Sequence, residues 1–281
     1  VAPVLVGTAA AAGPSSLGWA RGLSWWVALC ALGVAVSVQV ATNYANDYAD
    51  GKRGTDDPGT RVGPPRLVGN GLATPREVKL ATILAFAATA AFGLPLVVFV
   101  QPWLVVVGAA AMAAGWFYTG GPRPYGYAGL GEVFVFVFFG LVATTGSTYV
   151  QALGVPWISW VAAVAVGSFA TALLVVNNLR DIPGDTVSGK RTLAVRLGDR
   201  RTRAVYVVLL VLPFVLVPVV AGAGGRPLAA LGLVGVVLAR QPVIEVLGGA
   251  RGPALIPVLA ATARVQVVTC VLVAVGLFVG G

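Results

Sequence analysis

The chain has 281 residues, of which 58% are hydrophobic, 10% are charged and none is histidine. A soluble domain carries roughly 25% charged residues, so this supply cannot coat a water-facing surface, and lipid is the solvent the composition fits. The formal charge of +9 does not point to nucleic acid, because polytopic membrane proteins gather Lys and Arg in their cytoplasmic loops.

Apolar runs fall near residues 1–13, 22–46, 77–100, 102–120, 130–150, 155–178, 203–222, 227–247 and 256–279. They are long and unalternating, which predicts membrane helices rather than barrel strands. Nine spans follow, all in a single domain over 1–281. The first run is short and starts at Val1 without a basic leader, so it is read as the remainder of a first helix. Cys30 and Cys270 lie inside runs and are expected as buried thiols rather than a disulfide or a metal site.

The ten acids lie at or near alternate junctions: Asp47, Asp50, Asp56, Asp57 and Glu77; Glu132; Asp181, Asp185 and Asp199; and Glu245. Of the 19 Lys and Arg, only Arg21 and Arg226 map to the other side. The positive-inside rule makes the charged side cytoplasmic. Trp19, Trp25, Trp26, Trp103, Trp157 and Trp160 mark the opposite face as an aromatic belt, anchors in lipid rather than a ligand box. Residues 47–76, 121–129 and 179–202 form the predicted cytoplasmic cap. Thr74-Pro75 supplies an N-cap and a first-turn proline for a helix that follows.

Two motifs stand in that cap. The first is Asn43-Tyr-Ala-Asn46-Asp47-Tyr-Ala-Asp50-Gly-Lys-Arg-Gly-Thr-Asp56-Asp57, and the second Asn177-Asn178-Leu-Arg180-Asp181-Ile-Pro-Gly-Asp185. Spacings of three and four place Asn43, Asn46/Asp47 and Asp50 on one helical face, and Asn177 with Asp181 on another. Asp185 joins the second face if the helix passes Pro183 and Gly184. Without histidine, metal chemistry must rest on oxygen ligands, which favours Mg²⁺ or Ca²⁺. Mg²⁺ takes one or two carboxylates and completes its shell with waters and phosphates. Two facing clusters could therefore hold one polyphosphate, with Lys52, Arg66, Arg123, Lys190 and Arg191 available to neutralise the rest of its charge. Solvation of a cytoplasmic face accounts for charged loops. It does not account for Asn43, Asn46, Asn177 and Asn178 at the ends of apolar helices, where polar groups are costly and usually functional.

These motifs resemble those of the UbiA superfamily of intramembrane prenyltransferases. Asn46-Asp-Tyr-Ala-Asp50 with Gly54-Thr-Asp-Asp57, Pro65-Arg66-Leu-Val, Tyr118-Thr-Gly-Gly-Pro122, and Asn177-Asn-Leu-Arg-Asp181 with Lys190-Arg-Thr-Leu-Ala-Val-Arg-Leu-Gly198 are similar to the branch acting on 1,4-dihydroxy-2-naphthoate in menaquinone synthesis, of the actinobacterial type. That branch opens with a basic Arg-Pro-x-Thr-Leu-Pro segment, and Val1 falls just beyond it.

The resemblance implies an all-α bundle of about nine helices around a central cavity that opens towards lipid. It implies Mg²⁺-dependent transfer of a polyprenyl group from its diphosphate to the naphthoate ring, with loss of CO₂. Asp47, Asp50, Asp181 and Asp185 are then the expected catalytic carboxylates. Asn46, Asp50, Asp56, Asn178, Asp181 and Asp185 are the expected metal ligands, and Lys52, Arg66, Arg123 and Lys190 the diphosphate contacts. Asn43, Tyr48, Tyr118, Asn177 and Glu132 are expected to line the substrate cavity. The proton acceptor stays open between an Asp, Glu132 and a phosphate oxygen. A 4-hydroxybenzoate acceptor is the nearest alternative. An alcohol phosphatidyltransferase shares Asp47-x-x-Asp50-Gly51 but needs later residues that are missing. A cation-coupled transporter would place its acids at mid-membrane, whereas here the spans are almost free of charge.

Overall fold

The computed structural model describes residues 1–12, 23–54 and 65–280. Nine helices run through them: α1 (Ala2–Ala11), α2 (Trp25–Arg53), α3 (Pro75–Phe99), α4 (Leu104–Phe117), α5 (Gly131–Ala152), α6 (Trp157–Val187), α7 (Leu193–Gly222, broken by a kink at Gly198), α8 (Pro227–Leu247) and α9 (Gly252–Val279). Seven are long and apolar enough to cross a membrane, while α1 and α4 are shorter. No strand occurs among the described residues. The chain is therefore an all-α, multi-pass membrane protein. Its helices carry apolar side chains on their open faces, as Leu80, Ile83, Leu84, Leu94 and Val98 of α3 do; a water-soluble monomer rarely exposes so continuous an apolar surface.

Polar side chains inside these apolar helices find partners within the helix, as groups in lipid must. Their hydroxyls return bonds to the preceding turn, as Thr82 does to Val78 O at 2.8 Å, Ser168 to Val164 O at 2.8 Å and Thr262 to Val258 O at 2.7 Å. Trp25, Trp103, Trp157 and Trp160 are exposed at helix starts, as belt residues must be; Trp19 lies outside the described residues. Cys270 is buried and Cys30 only partly so, and both thiols are free.

Two compact units form. One comprises Val1–Leu29, Glu132–Asn177 and Arg200–Gly281, with a core that includes Val6, Phe169, Tyr206, Leu210, Leu255 and Leu277. Small residues let its helices cross closely. Thr148 Oγ1 donates to Gly7 O at 2.8 Å where α1 meets α5. Gly140, in a π-helical stretch of α5 (Phe136–Val142), lies against Gly167 of α6. The Tyr206 and Thr262 hydroxyls share a bond of 2.6 Å between α7 and α9. Arg203 donates to Val246 O and Ala250 O, satisfying carbonyls at the end of α8.

The other unit comprises Cys30–Gly131 and Asn178–Asp199. It contains most of α2, all of α3 and α4, and the last turns of α6. Gly33 of α2 packs on the Phe92 ring of α3, and Gly115 of α4 on Thr42. The expected cap at Thr74 is formed: its hydroxyl accepts the Glu77 N–H, Glu77 returns a bond to the Thr74 N–H at 2.7 Å, and Pro75 begins α3.

Both polar stretches read as loops are partly helical. α2 continues to Arg53, and α6 passes through Pro183 and Gly184 to Val187. Pro183 has no N–H to give Leu179 O, so the helix continues at the cost of one backbone bond. Asp185 therefore shares a helical face with Asp181.

Candidate active site

Asp47 and Asp50 stand in the final turns of α2, and Asp181 and Asp185 in those of α6, within one compact unit. Asp50 is buried near the end of α2. Its Oδ2 accepts a bond from Lys190 Nζ at 3.1 Å, and its Oδ1 a bond from the Tyr127 hydroxyl. Lys190 lies just past the second motif, so this pair ties the two motifs together across 140 residues of sequence. Asp185 lies within electrostatic reach of Lys190, Asp181 and Asp50. Its Oδ2 also takes a long bond of 3.4 Å from Thr192. Asp181 is held by Arg180 through two bonds of 2.7 Å, from Nε and Nη2, the bidentate geometry that suits guanidinium and carboxylate.

Tyr127 is the hinge of this arrangement. It sits in a 3₁₀ turn (Tyr125–Ala128) closed by Gly129 at a φ of 79°, and its carbonyl accepts the Arg191 N–H at 3.0 Å. Lys190 Nζ is 4.8 Å, and the Arg53 guanidinium carbon 5.4 Å, from its ring centroid, inside the range where a ring quadrupole attracts a cation. Burial works against the charge of Lys190. Asp50, and after it Tyr127 and Asp185, outweigh that effect, and the ammonium titrates above its ordinary value. Arg53 anchors the end of α2 by donating to Thr119 O and Gly121 O. Thr119 in turn donates to Asn46 Oδ1 at 2.8 Å.

Asp47 is also buried, but differently engaged: its two oxygens accept the backbone N–H groups of Val68 and Leu67, each at 2.9 Å. Arg66, beside them, is part-buried, whereas Lys52 and Arg123 are exposed. Tyr48 stacks on Trp116 with centroids 6.5 Å apart, and Tyr118 meets Tyr125 edge-on at 5.5 Å. Asn43 is exposed and Asn178 buried. Asn177 and Glu132 belong to the other unit, where Glu132 is buried in the first turn of α5. Asp56 lies outside the described residues.

Five participants escaped the sequence reading: Arg53, Thr119, Tyr127, Arg180 and Thr192. Arg180 stood inside the second motif string. Tyr127 stood in a predicted cap loop, three residues after a proline, with nothing in its spacing to link it to Asp50.

Among the described residues no three acidic or thiol groups converge into a ready-made metal cage. The donor set is nonetheless all oxygen. Mg²⁺ bound with a diphosphate needs only one or two protein carboxylates, so Asp50, Asp181 and Asp185 with the neighbouring amides fit it.

The sequence profile of the UbiA prenyltransferase family matches residues 1–247. A 1,4-dihydroxy-2-naphthoate octaprenyltransferase of Mycobacterium tuberculosis is 50% identical over 280 residues, covering 100% of this chain and 92% of that one. The apo structure of a UbiA homolog from Aeropyrum pernix K1 superposes with a TM-score of 0.72 at 17% identity, covering 98% of this chain and 95% of the other. A UbiA homolog from Archaeoglobus fulgidus, solved bound to DMAPP and Mg²⁺, superposes with a TM-score of 0.60 at 17% identity, covering 98% and 94%.

Proposed function

This chain belongs to the UbiA prenyltransferase family, and from that premise we propose that it transfers a polyprenyl group from polyprenyl diphosphate to 1,4-dihydroxy-2-naphthoate. Diphosphate and CO₂ leave, and the hydroquinone form, demethylmenaquinol, results. The observation that carries the reading is the Lys190–Asp50 pair, which brings the ends of α2 and α6 to one place. The naphthoate acceptor is taken from the named activity of the relative that matches along the whole chain.

In this reading Asp50, Asp181 and Asp185 would hold Mg²⁺, helped by Asn46, Asn178 and Asp56. Mg²⁺ supplies charge neutralisation for the departing diphosphate. Lys190 and Arg66 add fixed positive charge near that group, and the exposed Lys52 and Arg123 add more from the rim. The donor's C–O bond breaks with its electron pair leaving on diphosphate. The ring carbon of the acceptor forms the new C–C bond and its carboxylate departs as CO₂, leaving the electron pair of the broken C–C bond in the ring, so the hydroquinone re-forms with both hydroxyls. Tyr127, bonded to Asp50 and with Lys190 and Arg53 against its ring, would hold that positive charge close to the departing diphosphate.

Purified protein given Mg²⁺ and labelled polyprenyl diphosphate should prenylate dihydroxynaphthoate and leave 4-hydroxybenzoate almost untouched. Equal turnover of the two acceptors would defeat the naphthoate assignment. A chelator should abolish turnover in either case.

The same reading places the protein in the plasma membrane with the acidic helix ends facing the cytoplasm. Ser188 is exposed between α6 and α7, so a Ser188→Cys protein in intact cells should resist an impermeant maleimide until the membrane is opened. Labelling from outside would invert the topology.

A further inference from the structure

We infer that Asp47 is a positioning residue: its carboxylate clasps the turn at Leu67–Val68 and so holds Arg66 beside the acidic helix ends, without itself touching metal or substrate. The inference rests on the reading above in taking Arg66 as a diphosphate contact.

Three observations converge on the clasp. Asp47 is 5% exposed, and each of its oxygens is engaged by a backbone amide, Val68 N–H on Oδ1 and Leu67 N–H on Oδ2, both at 2.9 Å. Such charge-assisted bonds are about twice as strong as neutral ones. The next turn of α2 supplies a seat. A Cβ at Gly51 would lie 2.4 Å from Val68 Cγ1 and 2.5 Å from its Cβ, so only a bare backbone lets the turn approach there. Asp47 and Gly51 are four residues apart and face the same way. The clasped segment is also closed on itself. Arg66 N–H donates to Asn70 Oδ1 at 2.8 Å, Asn70 N–H to Arg66 O at 3.1 Å, and Leu72 N–H to Leu67 O at 2.8 Å. It can therefore move only as a block, and Arg66 is the residue immediately before the two clasped amides.

Asp50, one turn further along, contrasts with this. Tyr127 and Lys190 reach it with the ends of their side chains, which can rotate aside for a cation. The partners of Asp47 are main-chain groups whose release would leave two amides to be satisfied elsewhere. Sequence spacing places Asp47 and Asp50 on one helical face and cannot separate these roles.

The test compares Asp47→Asn, Asp50→Asn and Arg66→Gln, each alone, with the Asp47→Asn/Arg66→Gln double variant, in full-length protein. Hydrogen exchange over residues 65–72 should become about ten-fold faster or more in Asp47→Asn, since an amide side chain can accept only one of the two N–H groups. Exchange there should be unchanged in Asp50→Asn and Arg66→Gln. Half-saturating Mg²⁺, read from the thermal shift without substrate, should move in Asp50→Asn but not in Asp47→Asn. The KM for polyprenyl diphosphate should rise about ten-fold in Asp47→Asn and in Arg66→Gln, and no further in the double variant, because both act through one contact.

Parental exchange rates in Asp47→Asn, a Mg²⁺ shift as large as that of Asp50→Asn, or KM effects that multiply in the double variant would each overturn the inference. Absence of prenyl transfer by the parent protein would sink the proposed reaction instead, and the exchange and Mg²⁺ measurements would still decide the clasp.

Discussion

Asp181→Asn and Asp50→Asn should each lower the rate of prenyl transfer by about 10²-fold or more, because in the proposed reaction each removes one charge from the cluster that would meet the diphosphate. The side chain changes little in shape, so the loss is electrostatic. Neither motif can cover for the other, since each holds a different part of the same charge. Asp181 also balances the buried guanidinium of Arg180 through two bonds of 2.7 Å, and its neutral replacement leaves that cation with weaker acceptors. Initial rates across a Mg²⁺ titration, on protein whose melting temperature confirms folding, check this. Activity partly restored at high Mg²⁺ is the expected pattern. Full activity in folded Asp181→Asn protein would sink the two-motif site.

Gly140→Ala should destabilise the protein by about 3 kcal/mol, the upper end of the usual cost of overpacking. A Cβ there would lie 2.4 Å from Gly167 Cα and 3.1 Å from Gly167 N. Those atoms are main chain, so no rotamer change can relieve the clash, and α5 must separate from α6. In lipid, close packing of such small residues is a principal source of helix association. Thermal unfolding should shift down by roughly 6–12 °C. Gly146 lies on the same helix, and a Cβ there would meet nothing within 4 Å. Gly146→Ala is thus the control that should leave the melting temperature in place, and equal losses in the two variants would show that the crossing is not the cause.

The helices were legible because apolar run length is a strong signal, and the runs read from sequence coincide with α1 to α9 to within several residues at most ends. Ends were harder. Asp47 and Asp181 looked like the beginnings of loops because hydropathy falls there, yet backbone bonding carries α2 to Arg53 and α6 to Val187. The Asn and Asp residues of the site could be found since their polarity is anomalous at apolar helix ends. Tyr127 and Thr119 could not, because a tyrosine or threonine in a short cap turn is unremarkable until the chain brings it against Asp50 or Asn46. Bond partners were equally hidden: nothing in the spacing of Asp47 and Asp50 shows that one faces main-chain amides and the other side chains.

The lengths of α2 and α6 carry a consequence for the donor. At 29 and 31 residues they measure about 43 and 46 Å, against a hydrocarbon thickness of about 30 Å. With the apolar parts of both helices in the oil, the surplus at their polar ends would put the carboxylates at the level of the phospholipid headgroups. A polyprenyl diphosphate already floats with its phosphates at that height, so the enzyme meets it without extracting it. Its far isoprene units stay dissolved in bilayer throughout the reaction. Each added unit would then change the energy of free and bound donor alike, so the KM for the donor should vary little with the length of its tail.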